Sequence, residues 1–373
     1  INSSTLEKKL INIYKNNKKN NFSIQKIDYS DWIDIFDEGL KKIKSLNKLP
    51  VLFFSGGKDS TFIASRMIQN NIDALYFSFV TSDSEKKVIN ELADKLKINI
   101  FFTKEKLEFI DFENILKKIK EPVLDPAGLS TLLLLDICLK NKYKFSDMVF
   151  IDGMGNDSYM GHLPGKRELD KLFLQKIFTK LNLQKLISIK LSNSIGKFGD
   201  LLRPDYTAHF PGSTIKLDNY YEQISFYNKY KKYKDVVVQR AIQRGIHYDF
   251  GCAIKKSIIY LNACEEESEV NFPFLNEDLI DYFEKREVID YDFPRLINKL
   301  SIRKYLNENL NFDKVSPKKG IFKPTYFEFK LDKRQFDLAK KMNIETNKLN
   351  KMQISDYYLW SKYIIDNKID LMY

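Results

Sequence analysis

The sequence predicts an α/β protein, a parallel doubly wound sheet followed by a mostly helical C-terminal lobe, and three observations carry that prediction. Short apolar runs of strand length alternate with amphipathic stretches of about a dozen residues. Glycine-rich turns directly follow two of those runs. Beyond residue 165 the texture changes to longer Leu/Ile/Lys stretches of helical character. Strands that alternate with helices imply βαβ units, hence parallel pairing with both faces of the sheet covered.

The elements follow in order. Residues 1–28 are polar and rich in Lys and Asn, with too few apolar positions to anchor a core element, and predict a helical or loose arm. From Ser30 onward Trp32, Ile35, Phe36, Leu40 and Ile43 recur at helical spacing on one face, so an N-terminal helical arm is assigned to residues 1–47. An α/β domain is assigned to 48–165. Within it Pro50 precedes a buried strand run, Val51 to Phe54, and Ser55-Gly56-Gly57-Lys58-Asp59-Ser60 makes a turn into a helix carrying Phe62, Ile63, Met67 and Ile68. Residues 72–80 read as a second strand, 85–97 as an amphipathic helix and 98–103 as a third strand. A helix over 129–140 follows the turn at 124–128, and residues 148–151 form a strand that runs into Asp152-Gly153-Met154-Gly155-Asn156-Asp157. Residues 166–373 make up the mostly helical lobe.

A chain of 373 residues can bury a large core without covalent staples. Cys138, Cys252 and Cys264 lie far apart with no CxxC pair, which excludes a disulfide framework and a cysteine-based zinc site and suits a reducing cytoplasm. No run of eighteen uncharged apolar residues suggests a membrane span. The formal charge of +11 invites a nucleic-acid partner, yet only nine of the 61 basic residues are Arg, the residue whose bidentate fork suits phosphate and base recognition. The excess reads as a compositional drift toward Lys, and nucleic acid is not an expected partner.

Two glycines after a buried strand let backbone N–H groups turn inward on an anion, and the following helix presents its positive dipole end to the same place. Ser55 and Ser60 add hydroxyls. Asp59 would be out of place among phosphates unless a divalent cation bridges it. A bare Gly-Gly signifies no more than a tight turn, and Asp157 taken alone could simply cap a loop. In an open parallel sheet, however, ligands sit beyond the carboxyl ends of the strands, where both Asp59 and Asp157 are expected.

SGGKDS resembles the SGGxDS pyrophosphate loop of the PP-loop ATP pyrophosphatases, and it is neither a GxxxxGK[ST] nor a GxGxxG motif. GMGND at 153–157 resembles the GxGxD loop of the asparagine-synthetase branch, which includes the β-lactam synthetases. Glu269-Val270-Asn271-Phe272-Pro273-Phe274-Leu275-Asn276 resembles that branch's EaRxPFLD segment, and Ser316-Pro317-Lys318-Lys319-Gly320 its RPKxG segment. The four matches fall in the family's order. The resemblance implies an adenine nucleotide alpha hydrolase-like fold and an ATP-dependent, AMP-forming amide ligase that adenylates a small-molecule carboxylate and passes the acyl group to ammonia or an amine. It implies ATP held by Ser55, Gly56, Gly57, Lys58, Asp59, Ser60, Gly153 and Gly155. Mg2+ would be held by Asp59 and Asp157, with Asp157 and Lys318 as catalytic residues. Lys318 stands out from the chain's other lysines only through its motif, and Lys319 is its neighbour and rival.

Departures from the pattern accompany the matches. The family's acid or tyrosine in the GxGxD loop is Met154, which can accept neither a proton nor a strong hydrogen bond, and the acid after the aspartate is Ser158. Tyr159 and His162 are close enough in sequence to compensate, although His162, like His209 and His247, also reads as an ordinary loop histidine. The family's Arg and final Asp are Asn271 and Asn276. With no cysteine before Cys138, glutamine hydrolysis by an N-terminal cysteine is not expected, so ammonia comes from solution or from a separate glutaminase partner, or another amine is the acceptor. The alternatives are a PP-loop enzyme that adenylates a tRNA base and a non-catalytic nucleotide-binding relative.

Overall fold

The computed structural model of the protein describes residues 30–80, 82–102, 143–162, 269–285, 298–315, 330–342, 344–348 and 351–368, with positions 131, 134, 135, 138, 245, 249, 256 and 260. Five strands form one sheet: β1 Leu49–Phe53, β2 Leu75–Ser78, β3 Ile100–Phe102, β4 Met148–Ile151 and β5 Glu269–Asn271. Their order is β3-β2-β1-β4-β5, and every neighbouring pair is parallel. The chain steps outward from β1 to β2 and β3, then restarts on the other side of β1 with β4. That reversal opens a crevice beyond the carboxyl ends of β1 and β4, the place where ligands sit in such sheets.

Side-chain alternation sends each strand's apolar residues to two separate cores. Leu52, Val149 and Ile151 enter the larger one, beneath α1 (Ser30–Lys44), α2 (Lys58–Gln69) and α3 (Asp83–Leu96). Val51, Met148 and Phe150 enter the other, with Leu134, Leu135, Cys138, Tyr260 and Trp360. Helical residues therefore cover both faces, and the α/β doubly wound architecture holds. The remaining described helices are α4 Asp157–Met160, α5 Glu277–Lys285, α6 Leu300–Leu310, α7 Phe312–Val315, α8 Lys333–Lys341 and α9 Lys351–Asp366. Among the described residues, no helix is long and apolar enough to cross a membrane.

The observed strands are shorter than the apolar runs that predicted them. Residues 72–74 lie outside β2 and residues 98–99 outside β3, because pairing with the neighbouring strand and not hydrophobicity sets where a strand begins. β1 starts two residues early and includes Pro50, opposite Val149 of β4, while its pairing with β2 starts only at Val51. Helix α3 opens on Ser82, whose hydroxyl accepts the Glu85 N–H at 3.2 Å, and ends where Lys97 turns left-handed at φ 57°. β5 is a strand that the apolar pattern does not predict, and it comes from beyond residue 165.

The arm helix α1 is part of the larger core. Trp32, Phe36, Leu40 and Ile43 are fully buried. Phe62 of α2 sits 5.2 Å from Trp32, 5.1 Å from Phe36 and 5.9 Å from Phe274 between ring centroids, within the range of favourable aromatic pairs. Arg66 of α2 adds a bidentate pair to Asp37 of α1, with Nε 2.9 Å from Oδ1. Ser65 and Tyr305 join α2 to α6 through a hydroxyl pair at 2.8 Å. Phe62 touches every layer of this cluster, so Phe62→Ala is expected to lower unfolding stability by about 3–5 kcal/mol. Denaturant titration checks it, and a loss below about 1 kcal/mol would contradict the packing described.

Candidate active site

The first loop is built from its own side chains. Gly56 has φ +65°, and a Cβ there would stand 2.9 Å from Ile89 Cγ1, so both backbone and space demand glycine. Ser55 and Ser60 clasp the turn through their hydroxyls at 3.1 Å. The Ser60 hydroxyl also donates to the Gly57 carbonyl at 3.3 Å, and the Gly57 N–H donates to Ser55 Oγ at 3.3 Å. Helix α2 then begins at Lys58 with Gly57 as its N-cap and no side chain capping it. The dipole end of α2 is thus turned to the crevice without a built-in counter-charge beyond Asp59.

The second loop is pinned from behind by carboxylates. Asp152 accepts the Met154 N–H at 3.0 Å on Oδ1, while its Oδ2 receives Lys256 at 2.7 Å and the Tyr260 hydroxyl at 3.0 Å. Asp249 accepts the Gly155 N–H at 3.1 Å. Gly155 has φ +123°, and a Cβ on it would collide with Leu275 at 2.6 Å. Gly153 brings the loop against the first, since a Cβ there would lie 3.3 Å from Asp59 Cβ. The amides of Met154 and Gly155 are therefore engaged by carboxylates of the protein itself. At both glycines a side chain would crowd a neighbour, Asp59 at Gly153 and Leu275 at Gly155.

The two loops meet at a residue that sequence reasoning missed. Lys299, 6% exposed, places Nζ 2.8 Å from Asp59 Oδ2 and 2.8 Å from Asp157 Oδ1. Its backbone is left-handed at φ 56°, at the N-cap of α6, an unfavourable region for a lysine. Burial alone would push the Asp157 carboxyl up, yet the Lys299 ammonium, with His162 Nδ1 3.2 Å from Asp157 Oδ2, holds it well below the usual carboxylate range. Burial likewise opposes charge on Lys299, and Asp157 and Asp59 together raise it above the ordinary lysine value. Asp59 is also tied to the second loop, because Asn156 Nδ2 lies 2.5 Å from its Oδ1.

Two carboxylates that already share one buried cation are suited to share another. Asp157 Oδ1 is buried and faces the Lys299 ammonium at 2.8 Å. Among the described residues no cluster of three or more His, Cys, Asp or Glu gathers, so a metal here would complete its shell with phosphate and water oxygens. That donor set fits Mg2+, which characteristically takes one or two carboxylates and substrate phosphates.

The residues at and around the motif departures take the following places. Tyr159 cannot replace the missing group at Met154, for its ring stacks on Phe283 at 4.3 Å and its hydroxyl donates to the Phe274 carbonyl at 3.0 Å, out of the crevice. His162 is the titratable group that does reach the site, through Asp157. Asn276 caps α5, its Oδ1 accepting the Asp278 N–H at 3.1 Å, a task that Asn and Asp perform equally. Asn271 ends β5 and accepts the Asp152 N–H on its carbonyl at 3.0 Å, extending the β4–β5 pairing into the loop. Lys318 and Lys319 lie outside the described residues, as do His209 and His247.

Comparison with known proteins gives three findings. No curated protein matches the sequence. Among solved structures, that of NMN synthetase from Francisella tularensis is similar over 60% of this chain and 96% of that one, at 12% identity and a TM-score of 0.30. The family model described as asparagine synthase matches residues 49–372, from the first residue of β1 through both glycine loops and Lys299 to beyond α9, and the chain therefore belongs to the asparagine synthase family, as an ATP-dependent synthetase.

Proposed function

We propose that this synthetase is an AMP-forming amide ligase. It adenylates a small-molecule carboxylate, releases pyrophosphate and transfers the acyl group to ammonia or another amine. The observation that supports this reading most is the convergence of Asp59 and Asp157 on one buried positive charge at the switch point of the sheet. A module that only bound nucleotide would have no need to bury Asp157 with Lys299 there, beside the half-buried Asp59, at the desolvation cost such groups carry.

In this reading the loop from Ser55 to Ser60 and the N-terminus of α2 hold the β and γ phosphates. Asp59 and Asp157 would hold Mg2+, which supplies neutralisation of charge on the phosphates. Lys299 offsets the repulsion between the two carboxylates and holds them in place, and its ammonium would also be available to the phosphates beside them. Lys318 is proposed to act at the reacting centre, where negative charge builds on the α-phosphate and later on the tetrahedral oxyanion. Ammonia would come from solution or from a separate glutaminase.

The test is pyrophosphate release from α-labelled ATP across a panel of carboxylates, with and without ammonia and with tRNA as a competing substrate. AMP and pyrophosphate are expected in equal amounts, dependent on a carboxylate and an amine, and Asp59→Asn or Asp157→Asn should abolish them while the protein stays folded. ADP as the stoichiometric product would exclude the reading, and turnover that requires tRNA would redirect it to base adenylation.

Lys318→Ala should lower turnover by about a hundredfold or more while weakening ATP binding only modestly, since a charge that acts on the transition state adds little to ground-state affinity. Lys319→Ala is the control. Steady-state kinetics set beside nucleotide binding decides the matter, and a large loss with Lys319→Ala alone would move the role by one position.

A further inference from the structure

Asn156 is 1% exposed and sits at the N-cap of α4, where an asparagine side chain ordinarily bonds to the first turn of its own helix. Here it makes no such bond. Its amide reaches instead across 97 positions of sequence to Asp59, with Nδ2 2.5 Å from Oδ1. The orientation follows from chemistry, because an amide oxygen turned to a carboxylate would repel it and only the NH2 group attracts. The other carboxylate oxygen, Oδ2, is the one that meets Lys299. Gly153 closes on the Asp59 Cβ from the side, and Asp152 and Asp249 anchor the loop that carries Asn156 from behind.

We propose that Asn156 is a positioning residue for Asp59. By holding Oδ1 it leaves the carboxylate one way to face, so that Oδ2 points to the cation position shared with Asp157, and it locks the two glycine loops into one unit. The inference rests on the metal reading above and concerns how that site is pre-organised. A residue that orients a metal-binding carboxylate in this way governs metal affinity by about tenfold or more.

Mn2+ binding, read by electron paramagnetic resonance on the full chain with a non-hydrolysable ATP analogue, tests it without turnover. Asn156→Ala should weaken Mn2+ binding about tenfold in otherwise native protein, and by less than about twofold when Asp59→Asn is already present, since the amide acts only through that carboxylate. Asn156→Ser, whose hydroxyl stops one bond short of the amide nitrogen but still suits an N-cap, serves as a second variant should the alanine form fail to fold. Equal losses in both backgrounds would reduce Asn156 to packing and overturn the proposal, as would full affinity in the single variants. If the unaltered protein binds no Mn2+ with the nucleotide analogue, the metal reading itself fails and this inference with it.

Discussion

Lys299 carries a charge that almost no water reaches, 2.8 Å from carboxylates that follow two different strands, and the architecture of the crevice depends on it. Burying ions costs several kcal/mol each, and two carboxylates brought together from the ends of β1 and β4 would add their mutual repulsion. One ammonium between them offsets both. Its position is itself built at a cost, because Lys299 adopts a left-handed backbone where α6 begins, and non-glycine residues rarely accept that conformation unless their surroundings over-determine it. Helix α6 supplies those surroundings by packing Ile302, Tyr305 and Leu306 into the core that α1 and α2 share. The same burial that shapes the hydrophobic centre thus fixes the charge at its rim.

Much of this was legible in the sequence, and what was not had a physical reason. Strand-turn-helix punctuation around Gly56 and Gly57 is local information, as is the buried run at 148–151, so both glycine loops and their aspartates could be read directly. β5 is three residues long with only one apolar side chain, Val270, and it becomes a strand because β4 offers it an edge. Lys299 is one lysine among many, and nothing near it in the chain reports that two aspartates, one of them 240 positions earlier, will surround it. Asn156 has the residue type of a helix cap in the position of one, and only the folded chain reveals that its side chain is used elsewhere.

The second loop illustrates how a motif can keep its shape while its chemistry shifts. Its glycines fit against Asp59 and Leu275, and the amides of Met154 and Gly155 are held by Asp152 and Asp249, contacts supplied by the protein itself. Met154 removes an acid–base group from this loop, Tyr159 is committed to the core, and His162 is the group that remains beside Asp157. Asn276, by contrast, changes nothing in the local architecture, since it caps α5 as an aspartate would.

Lys299 sets the charge state of the site, and the titration of the Asp157 carboxyl, followed by 13C NMR in metal-free protein, tests this most directly. A carboxyl whose folded value is depressed contributes stability above its unfolded value and loses that contribution as pH falls through the folded one. In the native protein Asp157 should therefore stay ionised on passing below about pH 4, where an unperturbed aspartate takes up its proton. In Lys299→Met burial remains and only His162 still opposes it, so the carboxyl should protonate at a distinctly higher pH than in the native protein. An Asp157 that titrates alike in both proteins would contradict the claim.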